Sequence, residues 1–237
     1  MDFYKYIRRD DIIMRLNKYI LNELTSGWGL GFTAVDIDET LFKTFAKIYV
    51  MKDGEIVQKL NNQEFNVYKL KNHEFYDFRE FRDAEFFRKT SIPIPKTINR
   101  VKRMMKYLDV RGSKIIFLTA RADFNDKKIF LQTFRDYGIP IDNIYVERAG
   151  NDKTGTVSSI KKKIILRYLN TGLYRRVRLI DDCMANVKEF LDLQYSIPQN
   201  IIDKVKERYN ITGEESIPVI EFFGLLVKDD GSLVRIR

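Results

Sequence analysis

The chain has 237 residues, 44% hydrophobic and 32% charged, which suits one α/β domain with an insertion and a packed core. A single cysteine, Cys183, excludes an intramolecular disulfide, and a single histidine, His73, excludes a histidine metal cluster or a histidine-based triad. The formal net charge of +9 weights the partner toward a polyanion such as a nucleotide or nucleic acid.

In chain order, residues 1–25 carry Ile12, Ile13, Leu16, Ile20, Leu21 and Leu24 at helical spacing, so residues 1–30 read as an N-terminal helical extension. Arg8, Arg9, Asp10 and Asp11 stand where a secretory signal would need its apolar stretch. No apolar run approaches the ~20 residues that cross a bilayer. A soluble, cytoplasmic protein with no membrane partner is the expectation. Gly27, Gly29 and Gly31 then lead into a strand that delivers Asp36 and Asp38 to its end, in the string Ala34-Val35-Asp36-Ile37-Asp38-Glu39-Thr40.

Asp53-Gly54, between two β-rich runs over residues 47–57, predicts a hairpin. Residues 60–95 are rich in rings (Phe75, Tyr76, Phe78, Phe81, Phe86 and Phe87), at spacings that make short helices. Such rings more often form a small core of their own than a stacking platform for a base. Residues 45–95 therefore read as a hairpin flap and small cap insertion. A helix over 96–109, a strand ending at Thr119-Ala120-Arg121, a helix over 126–137 and a strand over 144–147 come next. They are followed by a helix over 158–169, a strand over 177–180 ending at Asp181-Asp182, and a helix over 184–193. This alternation predicts a Rossmann-like parallel sheet with helices on both faces, spanning residues 31–195, with its chemistry at the carboxyl ends of the strands. Residues 196–237 read as a helix over 199–209 and a hairpin, Ile217 to Val227 and Ser232 to Ile236, adding antiparallel strands at the sheet edge.

Two aspartates at a strand end suit attack on phosphorus by one and protonation of the leaving oxygen by the other. Asp36, Asp181 and Asp182 beside an anionic phosphate would repel one another unless a hard cation with oxygen ligands, foremost Mg²⁺, intervened. Gly150 to Thr156 has the glycine spacing of a phosphate-binding loop but no lysine after the second glycine, and reads as a polar loop capping the next helix.

An Asp-x-Asp-x-Thr strand end, a Thr strand end, a lysine near a helix start and an Asp-Asp strand end, in that order, resemble the haloacid dehalogenase (HAD) superfamily over residues 30–195. The resemblance implies that Asp36 is the nucleophile and Asp38 the general acid and base. It implies that Thr119 and Lys161 steady the phosphate and the nucleophile, and that Asp36, the Asp38 carbonyl, Asp181 and Asp182 hold Mg²⁺. An acid at Asp38 favours a phosphatase or phosphomutase over a transport ATPase or a dehalogenase. More narrowly, Ser159 to Ile165, Thr119-Ala120-Arg121 and Asp181-Asp182 with Asn186-Val187 are similar to the phosphatase domain of bacteriophage polynucleotide kinase. That similarity singles out Lys161 rather than Lys162 or Lys163, and makes Arg121, with Thr40, a candidate substrate contact. The long aromatic insertion departs from it.

The expectation is a Mg²⁺-dependent phosphomonoesterase acting through an aspartyl-phosphate on a nucleic-acid end, in the manner of a 3′-phosphatase, or on a nucleotide. A small-molecule phosphatase such as a 5′-nucleotidase is the alternative, and a non-catalytic binding or assembly protein on the same scaffold a third. The oligomeric state is not legible in the sequence.

Overall fold

The computed structural model describes residues 29–106, 112–212 and 218–236. The expected N-terminal helix lies outside the described residues. A six-stranded, mostly parallel sheet forms the centre. Its first strand, β1 (Leu30–Val35), is buried at every position, as befits a strand flanked by neighbours and covered on both sides. Past it, the chain makes the short β2 (Phe42–Lys43), β3 (Ile48–Lys52), β4 (Glu55–Leu60), α1 (Asn62–Val67), β5 (Phe75–Asp77), α2 (Ala84–Thr90) and β6 (Ile92–Pro93). Then follow α3 (Pro95–Met105), β7 (Lys114–Thr119), α4 (Lys127–Asp136), β8 (Tyr145–Arg148), α5 (Val157–Leu169), β9 (Tyr174–Asp181) and α6 (Met184–Leu191). The short α7 (Leu193–Ser196), α8 (Gln199–Tyr209), β10 (Glu221–Val227) and β11 (Leu233–Ile236) complete it.

The sheet order is β11-β10-β9-β1-β7-β8, parallel throughout except for β11 at one edge. Alternation along the strands divides the core into two layers. Val35, Phe117 and Ile180 pack with Ile98 and Val101 of α3 and with Phe130 and Phe134 of α4. Phe32, Ala34, Leu118 and Leu179 face the other way, onto Ile165 of α5, Phe190 of α6 and Val205 of α8. Helices thus cover both faces, and β1, β7 and β9 end together at one edge of the sheet.

The C-terminal expectation needs correction. β10 pairs in parallel with β9, in the register Leu225↔Ile180, and only β11 runs antiparallel. The tail therefore supplies a strand of the main parallel sheet before it makes a hairpin. The insertion holds the expected hairpin and short helices, α1 and α2, and adds β5. β4, β3 and β5 form a small antiparallel sheet, turned at Asp53-Gly54 with both residues at positive φ, as this two-residue turn demands. Ile48, Val50 and Leu60 make its core with Phe65, Tyr76 and Phe81 against them, whereas Phe87 belongs to the main core. Among the described residues, no helix is long and apolar enough to cross a membrane.

Candidate functional site

The extended backbone of β1 ends at Val35, and the next residue still belongs to the sheet, since the Asp36 N–H donates to the Ile180 carbonyl at 2.9 Å. The chain then coils. Leu41 and Phe42 both donate to the Ile37 carbonyl, at 2.9 and 3.1 Å, and Glu39 sits in the left-handed region at φ 53°. A non-glycine residue there is strained, and here the turn holds it: the Glu39 carboxylate accepts from the Thr44 N–H at 2.9 Å. The coil breaks the same-side arrangement that Asp36 and Asp38 would have on a straight strand. Their side chains enter different surroundings.

Asp36 is buried and faces Lys161, whose ammonium donates to Asp36 Oδ1 at 2.6 Å and to Asp181 Oδ2 at 2.7 Å. Lys161 lies one turn into α5, which starts where Thr156 accepts from the Ser159 N–H at 3.2 Å. That placement sends its stem through the core side of the helix, and the residue is only 2% exposed. Lys163 reaches Thr154 on an exposed face, as the solvated reading expects, whereas Lys162 is half-buried and paired with Glu189 at 3.1 Å. Asp181 ends β9 and is held by the Cys183 N–H at 2.9 Å and by the Asn186 amide at 2.9 and 3.1 Å. The Ser158 hydroxyl donates to that same amide's oxygen at 2.8 Å, coupling α5 to α6.

Asp38 belongs to a second cluster. Arg121 grips both its oxygens, Nε at 3.0 and 2.9 Å and Nη2 at 2.6 Å, and the Thr119 hydroxyl approaches Oδ2 at 3.4 Å. The guanidinium is buried beneath Phe81, Phe87 and Phe124, at 4.6, 5.0 and 5.5 Å from the ring centroids, and donates to the Phe81 carbonyl at 3.0 Å. The aromatic insertion thus secures the arginine that secures Asp38. Thr119 turns its hydroxyl to the Arg121 N–H as well, at 3.1 Å. Gly150 closes in from below: a Cβ there would stand 2.3 Å from the Ala120 carbonyl oxygen, so only glycine lets this segment pack against the Thr119–Arg121 turn. Thr40 is buried, and its hydroxyl lies 3.4 Å from Asp182 Oδ1.

Electrostatics separate the acids further. Burial raises the Asp36 carboxyl well above its ordinary range, and Asp181, Asp182 and Asp38 reinforce this against Lys161. Asp182, the most exposed of the three clustered acids, is pushed up to about 7 by burial and by the charge of Asp181. Asp38 goes the other way: burial opposes ionisation, but the charge and hydrogen bonds of Arg121 hold it below the usual range. Burial also opposes charge on Lys161, yet Asp181 and Asp36 keep the ammonium protonated far above pH 7.

Carboxylate oxygens of Asp36, Asp181 and Asp182 all lie within 4.8 Å of one another. One ammonium cannot balance three such groups. An all-oxygen donor set carrying excess negative charge fits a hard divalent cation better than a soft one. All the acidic, basic and hydroxyl residues singled out in the sequence therefore lie on one edge of the sheet, in two adjoining clusters. What the sequence did not show is the support behind them: Ser158 and Phe124 were not singled out, and Phe81 and Phe87, read as a core for the insertion, turn out to cover Arg121 from far along the chain. No protein-family model matches the chain, and no curated protein matches it significantly.

Proposed function

We propose that the protein is a Mg²⁺-dependent phosphomonoesterase that forms an aspartyl-phosphate on Asp36 and acts on a nucleic-acid end or a nucleotide. The observation that carries this reading is the division of labour between two aspartates two residues apart. One is bound to a buried ammonium inside an acidic trio, and the other is bound to a buried guanidinium just outside it.

Asp36, Asp181, Asp182 and the Asp38 main-chain carbonyl are the groups that would hold Mg²⁺, which when bound supplies positive charge to the acidic trio and to the phosphate. Lys161 orients the Asp36 carboxylate and keeps charge opposite it. Asp36 attacks phosphorus, and the bond from phosphorus to the leaving oxygen breaks. Asp38 donates the proton that this oxygen needs. Asp38 then takes a proton from water as that water attacks the same phosphorus, releasing inorganic phosphate and restoring Asp36. Arg121 holds Asp38 ionised before substrate arrives. An incoming phosphate competes with Asp38 for the guanidinium, which frees Asp38 to take up its proton. Thr119 and Thr40 offer hydroxyls beside the two clusters.

A small-molecule monophosphate is the second reading. It is favoured by the anchorage of the insertion at Arg121 through the Phe81 carbonyl, which walls one side of the site. The deciding assay is phosphate release with Mg²⁺ from 3′- and 5′-phosphorylated oligonucleotides, nucleoside monophosphates and an aryl phosphate, native protein beside Asp36→Asn. Release that disappears in the variant is expected. Undiminished release from Asp36→Asn would overturn the reading.

A further inference from the structure

A surface cavity of about 510 Å³ lies apart from the acids. It runs between α3 and the turn joining β10 to β11, lined by Lys96, Asn99, Arg100 and Arg103 on one side and Gly231, Ser232 and Leu233 on the other. Lys96, Arg100 and Arg103 recur at i, i+4 and i+7, so they share one helical stripe, while Ile98, Val101 and Met105 bury the opposite one. Lys96 is paired with Asp230 at 2.7 Å. Arg100 and Arg103 are exposed and have no carboxylate partner among the described residues.

The charge continues past the cavity. Leu233 and Arg235 share a face of β11, and there the Phe223 ring of β10 lies between two guanidiniums, Arg235 at 4.6 Å and Arg178 at 5.4 Å from its centroid. Arg235, exposed two residues beyond Leu233, therefore extends the charge of Arg100 and Arg103 past the cavity.

The strip also reaches the acids. The Ile94 N–H, at the head of α3, donates at 2.8 Å to the Leu41 carbonyl, in the coil that carries Asp38 and Thr40. The β10–β11 turn leaves the sheet at the edge where β9 presents Asp181, with Leu226 in register beside it. From Lys96 to Arg103 the stripe is about 10 Å long. Guanidiniums without a carboxylate partner along an exposed groove are complementary to a phosphodiester backbone.

We propose that this groove binds the backbone of a single-stranded nucleic acid whose phosphorylated end enters the acidic site. The assignment of the end rests on the phosphomonoesterase reading. Binding in the groove does not.

The test is fluorescence anisotropy of the full chain with a labelled oligothymidylate of about twelve nucleotides bearing a 3′-phosphate, over a series of salt concentrations. Arg100→Gln/Arg103→Gln should weaken binding at least about tenfold and make the salt dependence shallower by about 1.4 in the logarithmic slope, two contacts at about 0.7 each. Both side chains are exposed, so an unchanged melting temperature shows that the variant is folded, and Arg235→Gln, at an exposed position of β11, is the second variant. Aryl phosphate hydrolysis by both variants should match the native rate. Aryl phosphate hydrolysis with no salt-dependent oligonucleotide binding would overturn the groove and leave the phosphatase reading standing. Binding that depends on Arg100 and Arg103, with no hydrolysis of any phosphate, would do the reverse.

Discussion

Lys161→Met tests how the site is held together. The ammonium makes two contacts, 2.6 Å to Asp36 and 2.7 Å to Asp181, and all three side chains are almost wholly buried. At an effective dielectric near 20, each contact represents about 6 kcal/mol of attraction. Desolvation of the three ions, several kcal/mol each, offsets most of it. Methionine keeps the length of the stem but leaves two buried carboxylates facing each other. The expected loss is about 3–5 kcal/mol, the usual cost of stripping one partner from a buried ion pair. For a chain of this size, that lowers the melting temperature on the order of 10 °C. The deficit should depend on pH. Without the ammonium, the buried Asp36 carboxyl binds a proton in the folded state that the unfolded chain releases above about pH 4, so stability returns as pH falls. Thermal and urea unfolding in chelator, at pH 8 and pH 5.5, measures both effects. A deficit under about 1 kcal/mol, or one that grows on acidification, would refute the argument that this lysine balances the acidic trio.

The native protein should show a weaker form of the same behaviour. The folded pKa of Asp182 is raised to about 7 and that of Asp36 is raised as well, so the folded state binds more protons and stability falls as pH rises from about 4 through about 7. Melting in chelator should drop between pH 5 and pH 8, added Mg²⁺ should raise it most at pH 8, and Asp182→Asn should flatten the profile; a rise across that interval contradicts the assignment. Asp38→Asn should lower kcat/KM, which reports only the steps up to the aspartyl-phosphate, by about 10²–10⁴ on an alkyl phosphate, the usual contribution of a general acid, and much less on an aryl phosphate whose leaving group needs no proton. Equal losses on the two substrates would remove the acid role.

The parts of the site legible in the sequence are those whose neighbours in the chain also decide their neighbours in space. Asp36 and Asp181 each close an apolar strand, and parallel strands bring their ends to one edge. Lys161 is singled out by the resemblance, and the helical period agrees with it, since Ile160, Ile165 and Leu169 share the buried side of α5. Arg121 was visible as a strand-end cation, but its partners were not. Asp38 is 83 residues away and the Phe81 carbonyl 40 away. The strand β10 shows the same limit. Its apolar run Phe222-Phe223-Gly224-Leu225-Leu226-Val227 suits a covered parallel strand, but nothing nearby names β9 as its neighbour. Gly224 marks the place, because a Cβ there would come 2.7 Å from Val187 Cγ1 of α6. A glycine inside a strand is often a close approach by another element, and here that element is a core helix.

The same topology explains why two aspartates two residues apart in the motif behave as different acids. On a continued strand they would share one face and one field, and neither would be set apart from the other. The turn through Glu39 at φ 53° ends that equivalence: Asp36 stays under the sheet with Lys161, and Asp38 swings to the end of β7, where Arg121 takes both its oxygens. Each aspartate of the motif therefore meets a different buried cation, and the two carboxyls move in opposite directions from the ordinary range. Pairs of acids whose surroundings push them apart can divide attack and proton transfer between them. The insertion enters this logic through Phe81, so the strain of the turn, the ring cage and the acid are one device rather than three.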